Sequence, residues 1–455
     1  MKIKTAITCF LVLILSACGA EDFGLDISRE VPQQQIANEL PQTVETADND
    51  RTDELTLPEQ IDEIKIGLIL PLSGEAADTG NALLDAVTLA MADLKDPRLH
   101  LFPADSLGTP EGAAAAARKL IGHGVSIVIG PLFSQSVEGA APILRQANIK
   151  LLSFSNNQTI AGDGTYITGF TPDQEVDRII RYAHDQGYDK FAALIPEGAY
   201  GDEVLESLSN TVLDSNSMIT GLETYVQDAD LINEPARRLA DYDRRRKAYL
   251  DEVNYLESLD DDLADQILGD YKNRETLGGV SFEALLLPEG GALLKSLAPV
   301  LPFYEIHPEN IKFLGTGLWD DLSLTREPPL MNGWFASIPR EGLIRFSNRF
   351  EELFGYIPPR IAALGYDVAA LVGVMARDPR PSYRFSRSQI ENPNGYQGFT
   401  GVFRFTENGL TERQLAVMMI TENGIETIDP ALTTFEPLRQ YVSQNRIQQG
   451  QPGGR

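Results

Sequence analysis

The chain has 455 residues, 43% of them hydrophobic, and a formal net charge of -28 from 38 basic and 66 acidic side chains. Length and apolar content suffice for a core shared by two lobes and exclude a disordered protein. The acid excess repels polyanions and offers no basic patch to neutralise phosphates, which argues against a nucleic-acid partner.

The first residues, MKIKTAITCFLVLILSACGAED, set Lys2 and Lys4 before an apolar run at 6–15 and the small residues Leu15-Ser16-Ala17-Cys18. This is the layout of a cleaved leader, and its apolar run is too short to span a membrane. Leu-Ser-Ala-Cys resembles the bacterial lipobox. The resemblance implies a signal peptide of 1–17 and acylation of Cys18, which anchors the mature chain to a membrane. Cys9 would leave with the leader and Cys18 would carry lipid, so no thiol remains for a disulfide, a metal or a nucleophile. Gly19 stands where Asp marks inner-membrane retention in Gram-negative lipoproteins, which implies the outer membrane.

Residues 18–62 are acidic, rich in Gln, Thr and Pro, and without period, the pattern of a disordered tether. About 44 extended residues at ~3.3 Å each would reach on the order of 140 Å. From 63 the pattern changes to alternating strands and helices. IKIGLIL reads as a buried strand; Leu83, Leu84, Val87, Ala90, Met91 and Leu94 recur at helical spacing. Thr109-Pro110 opens a second helix as cap and first residue. The alternation continues to 171, which predicts a parallel sheet covered by helices on both faces. It restarts at 172–333 as a second α/β lobe, with a helical insertion at 232–277. Residues 334–400 should return to the first lobe, and 401–435 should add terminal strands to the second, with hairpins at Asn408-Gly409 and Asn423-Gly424. The tail, 436–455, reads as disordered.

The first lobe contains IGLILPLSG, IGPLFSQS and LLSFSNN, and the second contains AYGDE and GTGLWDD, followed by GYDVAAL. In this order the motifs resemble the type I periplasmic-binding fold of the leucine-binding proteins, two Rossmann-like lobes around a cleft, over about residues 64–430. Together with the lipobox, LSFSNNQTIAGDGTYITGF, FAALIPEGAYG and an Arg-rich insertion, they are similar to penicillin-binding protein activator lipoproteins of alphaproteobacterial type. That resemblance implies a non-enzymatic outer-membrane protein, facing the periplasm and activating a peptidoglycan-synthesising penicillin-binding protein by contact. The alternative is a lipid-anchored binding protein of an ABC importer, with an amino acid or other small polar ligand in its cleft.

In amino-acid receptors of this fold, the turns after the first-lobe strands hold the ligand carboxylate. The matching positions are Ser73, Ser134, Gln135, Ser136, Ser153 and Ser155, with Asn157 beside them and Tyr200 and Asp320 on the opposite wall. A helix N-terminus with short hydroxyl side chains favours an anion there. Asn156 and Asn157 depart from the receptor pattern, as does Ala199 before Tyr200. Helix capping by Ser134, Ser136 and Asp320 or Asp321 explains the same spacing.

His100, His123, His184 and His307 are scattered without ligand spacing, no phosphate loop ends in Lys-Ser or Lys-Thr, and no Gly-x-Ser-x-Gly elbow occurs. No metal, cofactor or catalytic residue is expected. At 236–268, Leu239, Tyr242, Tyr249, Val253, Leu256, Leu263 and Ile267 fall at three- and four-residue spacings. That predicts one long helix, or a helical hairpin broken near Ser258–Asp262. Arg237, Arg238, Arg244, Arg245 and Arg246 give it a basic end, read either as an exposed partner surface or as a solvated helix.

Overall fold

Residues 62–259, 261–272 and 274–435 are described by a computed structural model. The leader, Cys18, the acidic stretch to residue 61 and the tail from 436 lie outside them.

Seven residues, IKIGLIL, form β1 (Ile64–Leu70), buried at all but one position, as expected of a strand covered on both faces. The first lobe continues with α1 (Ala77–Leu94), β2 (Leu99–Asp105), α2 (Pro110–His123), β3 (Ile127–Ile129), α3 (Ser134–Gln146), β4 (Lys150–Ser153) and β5 (Thr165–Ile167). Its sheet is parallel throughout, in the order β2-β1-β3-β4-β5. Thr109 caps α2 as expected, its hydroxyl accepting from the Gly112 N–H at 3.1 Å, with Pro110 in the first turn.

The second lobe opens with α4 (Pro172–Asp185), β6 (Lys190–Pro196), α5 (Ala199–Asp214) and β7 (Met218–Tyr225), followed by α6 (Asn233–Leu239), α7 (Tyr242–Glu257) and α8 (Asp262–Tyr271). It continues through β8 (Ala284–Leu286), α9 (Gly291–Leu297), α10 (Val300–Phe303), β9 (Lys312–Gly315) and β10 (Trp334–Ser337). The chain then passes α11 (Arg340–Phe354), α12 (Ala362–Ala376) and α13 (Arg387–Ile390). It ends in β11 (Tyr396–Gly398), β12 (Gly401–Phe405), β13 (Thr411–Arg413), β14 (Ala416–Thr421) and β15 (Gly424–Asp429). The second sheet has the order β15-β14-β10-β9-β8-β6-β7, and β11-β12-β13 form a separate ribbon.

Two boundaries differ from the sequence reading. Trp334–Ser337 pair with β9 and β14, so the second sheet extends past 333. Of the strands in 401–435, only β14 and β15 join that sheet; Phe403 and Phe405 of β12 pack into the first-lobe core beside Leu364 and Val368 of α12. The return helices complete the first lobe. α12 is apolar nearly all round, as a buried helix must be, and Gly365 and Gly373 let it approach Leu83 and Leu94 of α1. Phe346 and Phe350 of α11 close the outer side against Ala82, Ala86 and Leu89.

The insertion is three helices and not one. The expected break near Ser258–Asp262 separates α7 from α8, and a further break at Ala240–Asp241 separates α6 from α7, with Asp241 in the left-handed region at φ 49°. Leu239 and Leu256 of the predicted stripe are buried, but Leu263 is 65% exposed, because the left-handed turn and the end of α7 at Glu257 reset the helical phase. Among the described residues, no helix is long and apolar enough to cross a membrane.

Candidate functional site

The carboxyl ends of β1, β3 and β4 stand side by side in the first sheet. At or just beyond these ends lie Ser73, Ser134 to Ser136 in the first turn of α3, Ser153 as the last residue of β4, and Ser155. Ligands of open parallel sheets bind beyond this edge, so the fold gathers the predicted residues at one wall. The hydrogen bonds show what each does there. Ser73 donates its hydroxyl to Asp105 at 2.6 Å, and the same carboxylate accepts from the Leu72 and Leu107 N–H groups; these bonds hold the Asp105 carboxyl below its ordinary range against the opposing effect of burial. Gln135 donates to the Gly108 carbonyl at 2.8 Å, and Ser136, buried, donates to the Thr109 carbonyl at 3.5 Å. Ser153 donates to the Pro131 carbonyl at 2.9 Å and accepts from the Ser155 N–H. Ser155 accepts from the Asn157 N–H at 3.2 Å, and Asn157 caps the next turn through Thr159.

The capping explanation of Ser134 and Ser136 does not hold. The residue that caps α3 is Phe133, in extended conformation and with no side-chain bond, so the first N–H groups of the helix and the half-buried Ser134 hydroxyl stay at the wall without a capping side chain. Asp321 does cap a turn, accepting from the Ser323 N–H at 2.8 Å.

On the opposite wall, Tyr200 shares a hydrogen bond with the Thr316 hydroxyl at 3.1 Å, and burial pushes its phenol well above its ordinary range. Asp320 is not open to a ligand: its side chain is 2% exposed and ion-paired with Arg340 of α11. Beside it, Glu175 of α4 accepts from the Gly317 N–H at 2.9 Å and faces the Arg360 guanidinium at 3.6 Å. Arg360 also donates to the Gly317 carbonyl at 2.8 Å and to Ser337 at 3.0 Å. Burial raises the Glu175 carboxyl and the guanidinium opposes the rise. Since α11 and α12 pack with the first lobe, the two ion pairs join the lobes next to the cleft. A third buried acid, Glu289 after β8, accepts from the Tyr225 hydroxyl at 2.8 Å and from Gln227 at 3.0 Å. Glu175, Glu289, Arg340 and Arg360 escaped the sequence reading. The acid-rich first turn of α4 was the one signal available, and its partner lies far along the chain.

The Arg cluster is spread over different roles. Arg237 pairs with Asp243 at 2.5 Å, Arg238 with Glu223 at 2.9 Å, Arg244 with Asp241, and Arg246 donates to the Glu275 carbonyl at 3.0 Å. Arg245 is 4% exposed, so it is not part of any free basic surface. It donates to the Thr276 hydroxyl at 2.7 Å, to the Gly278 carbonyl and to Glu305 at 2.8 Å, and to the Ala240 carbonyl at 3.2 Å.

A groove of about 790 Å³ lies away from the strand ends, between α4, α5 and the β12–β13 ribbon. It is lined by Asp173, Asp177, Glu203 and Glu206 among others. Burial and the nearby Asp173 push Glu203 up to about 7. A raised carboxyl favours the folded state while protonated, and the contribution is lost as pH rises through the folded value. The thermal midpoint should therefore fall, relative to that of Glu203→Gln, as pH goes from about 5 to about 8. Parallel melting profiles for the two proteins would contradict the assignment. Among the described residues, no three His, Cys, Asp or Glu side chains are placed to hold a metal ion.

The sequence profile of the family described as "Periplasmic binding protein" matches residues 63–230. Curated relatives include the uncharacterized protein RP748 of Rickettsia prowazekii, 26% identical over 39% of this chain and 47% of its own length. The Leu/Ile/Val-binding protein BraC3 of Rhizobium johnstonii is 24% identical over 33% of this chain and 44% of its own. The penicillin-binding protein activator LpoA of Vibrio cholerae is 24% identical over 40% of this chain and 29% of its own. The aligned part thus spans less than half of each of these relatives. Among solved structures, a solute binding protein of an ABC transporter from Rhodopseudomonas palustris, in complex with 3,4-dihydroxybenzoic acid, is 18% identical, with 83% of this chain and 99% of that one covered at a TM-score of 0.56. A branched-chain amino acid ABC transporter ligand-binding protein from Burkholderia xenovorans is 16% identical, with 82% and 96% covered at a TM-score of 0.59. Topology and likeness agree on the type I periplasmic-binding fold.

Proposed function

We propose that on this periplasmic-binding scaffold the chain acts by protein contact: a lipid-anchored envelope protein of the outer membrane that activates a peptidoglycan-synthesising penicillin-binding protein and catalyses no reaction itself. One observation carries the reading. The side chains that would clamp an amino acid are bonded within the protein, Ser73 to Asp105, Gln135 to Gly108, Ser153 to Pro131, Tyr200 to Thr316 and Asp320 to Arg340. A ligand would have to replace those bonds one for one, with little net gain. The likeness to the Vibrio cholerae activator supports the same reading, and a long acidic stretch after Cys18 suits a protein that reaches from one membrane toward a synthase.

The test is reconstitution. The mature chain is added to the purified bifunctional penicillin-binding proteins of the same organism, and glycan polymerisation and cross-linking are followed. The expected result is a rate increase with one of them; unchanged rates with all would overturn the reading.

A second reading has its own support: the uncapped N-terminus of α3 and the Ser134 hydroxyl suit a carboxylate, and the Rhodopseudomonas palustris neighbour holds an organic acid. A small-carboxylate importer component would melt later in the presence of amino or aromatic acids, because a ligand bound only by the folded state raises apparent stability.

A further inference from the structure

The ribbon β11-β12-β13 leaves β11 at an edge, with no strand on its outer side among the described residues. The direction of its free groups follows from the ladder. The Gln414 N–H donates to the Val402 carbonyl at 3.0 Å, so Val402 turns its backbone toward β13, and its neighbours Gly401 and Phe403 turn theirs toward β11. These are opposite Gly398 and Tyr396. Gln397, between them, therefore turns both its N–H and its C=O outward. One residue presenting a donor and an acceptor side by side on an exposed edge is what an extended chain pairs with.

Beside this edge runs a groove of about 510 Å³ between β11 and α12. Its walls are Tyr366, Ala370 and Val374, one four-residue stripe of α12, together with Phe399 and Phe403. Val374 is 53% exposed on a helix that is otherwise almost wholly buried. A second groove of about 280 Å³ shares Arg345, Gln397 and Phe399 with the first, so the free edge stands between two depressions, one for each side-chain direction of an added strand. The position of the edge is fixed from below: the buried Asp367 carboxylate accepts from the Phe399 and Thr400 N–H groups at 2.7 and 2.8 Å. Arg345, exposed at the junction of both grooves, has no carboxylate partner among the described residues. In a chain of net charge -28, an uncompensated guanidinium at a groove mouth selects for an acidic guest.

We propose that this edge is a docking site for an extended segment of a partner protein. The segment pairs with Gln397 as an added strand, lays an aliphatic side chain against Ala370, Val374 and Phe399, and sets an acidic side chain on Arg345. The site rests on the protein-contact reading but not on which synthase is the partner, and peptide binding is measured apart from synthase stimulation, so either can fail without the other.

The full mature chain is panned against a displayed library of random hexapeptides, and enriched sequences are synthesised and titrated by calorimetry. Enriched peptides should carry an aliphatic residue next to Asp or Glu. Val374→Glu, Gln397→Pro, which removes the outward N–H without removing a bond to β12, and N-methylation of the pairing amide in the peptide should each weaken binding by roughly tenfold or more. Arg345→Glu should shift selection from acidic to basic peptides. All three protein variants alter exposed side chains and should melt like the parent. No enrichment over a protein-free control overturns the proposal, as do enriched peptides that bind Val374→Glu and Gln397→Pro undiminished. So does a dimer of the parent chain that Val374→Glu dissociates, since the occupant would then be a second copy.

Discussion

Arg245→Met should lower the unfolding free energy by about 3–5 kcal/mol, the usual cost of removing one partner from a buried pair. The Glu305 carboxylate, the Thr276 hydroxyl and the carbonyls of Ala240 and Gly278 would all lose the same guanidinium. Its neighbour Arg244, exposed and paired with Asp241, should tolerate Arg244→Glu with a change within about 0.5 kcal/mol. Urea unfolding of the two variants separates them. If they lose equal stability, Arg245 does not anchor the insertion. The contrast also bears on partner binding: charge reversal across the whole Arg cluster would confound folding with contact, so only Arg237, Arg238, Arg244 and Arg246 are suitable for testing a basic partner surface.

Glu175→Ala should cost about 3 kcal/mol, toward the lower end for a buried pair because part of Arg360 reaches solvent. It leaves the Gly317 N–H without its acceptor and the guanidinium without its counter-charge. Glu175→Gln keeps an acceptor for Gly317 and should lose less. Because this pair joins α4 of the second lobe to the segment leading into α12 of the first, the Ala variant should also broaden the distribution of lobe angles seen by small-angle scattering. A loss under about 1 kcal/mol, with an unchanged scattering profile, would show that the pair does not hold the lobes.

How much of this was legible in the sequence depends on how far apart the interacting residues are. β1, the Thr109-Pro110 start of α2 and the hairpins at Asn408-Gly409 and Asn423-Gly424 are local, decided by a handful of neighbours, and were read with their positions nearly right. The order of the strand-end serines was also legible, because parallel α/β units bring every second turn to one edge. What those serines bond to was not. Gln135 meets Gly108, and Asp320 meets Arg340, through tertiary packing that leaves no trace in spacing. Arg244 and Arg245 make the point at the smallest scale. They are adjacent and identical in chemistry, yet one is solvated and the other is buried, and only the helix phase after the left-handed turn at Asp241 distinguishes them.

The packing of α12 against α1 bears on how the chain is made. Tyr366 bonds to Asp93 from 273 residues away, and the first-lobe core holds side chains from both ends of the described chain. The entropy of closing so long a loop grows only slowly with its length, but such distant contacts form late. During synthesis the second lobe has its central strands β6 to β10 in hand before α12 exists, whereas Ala82, Ala86 and Leu89 of α1 wait for Phe346, Phe350, Ala362 and Ala363. The first lobe therefore stays open until α11 and α12 are made, with β14 and β15 of the second sheet following later still, and the apolar face of α1 is the surface a chaperone would have to shield in the interval.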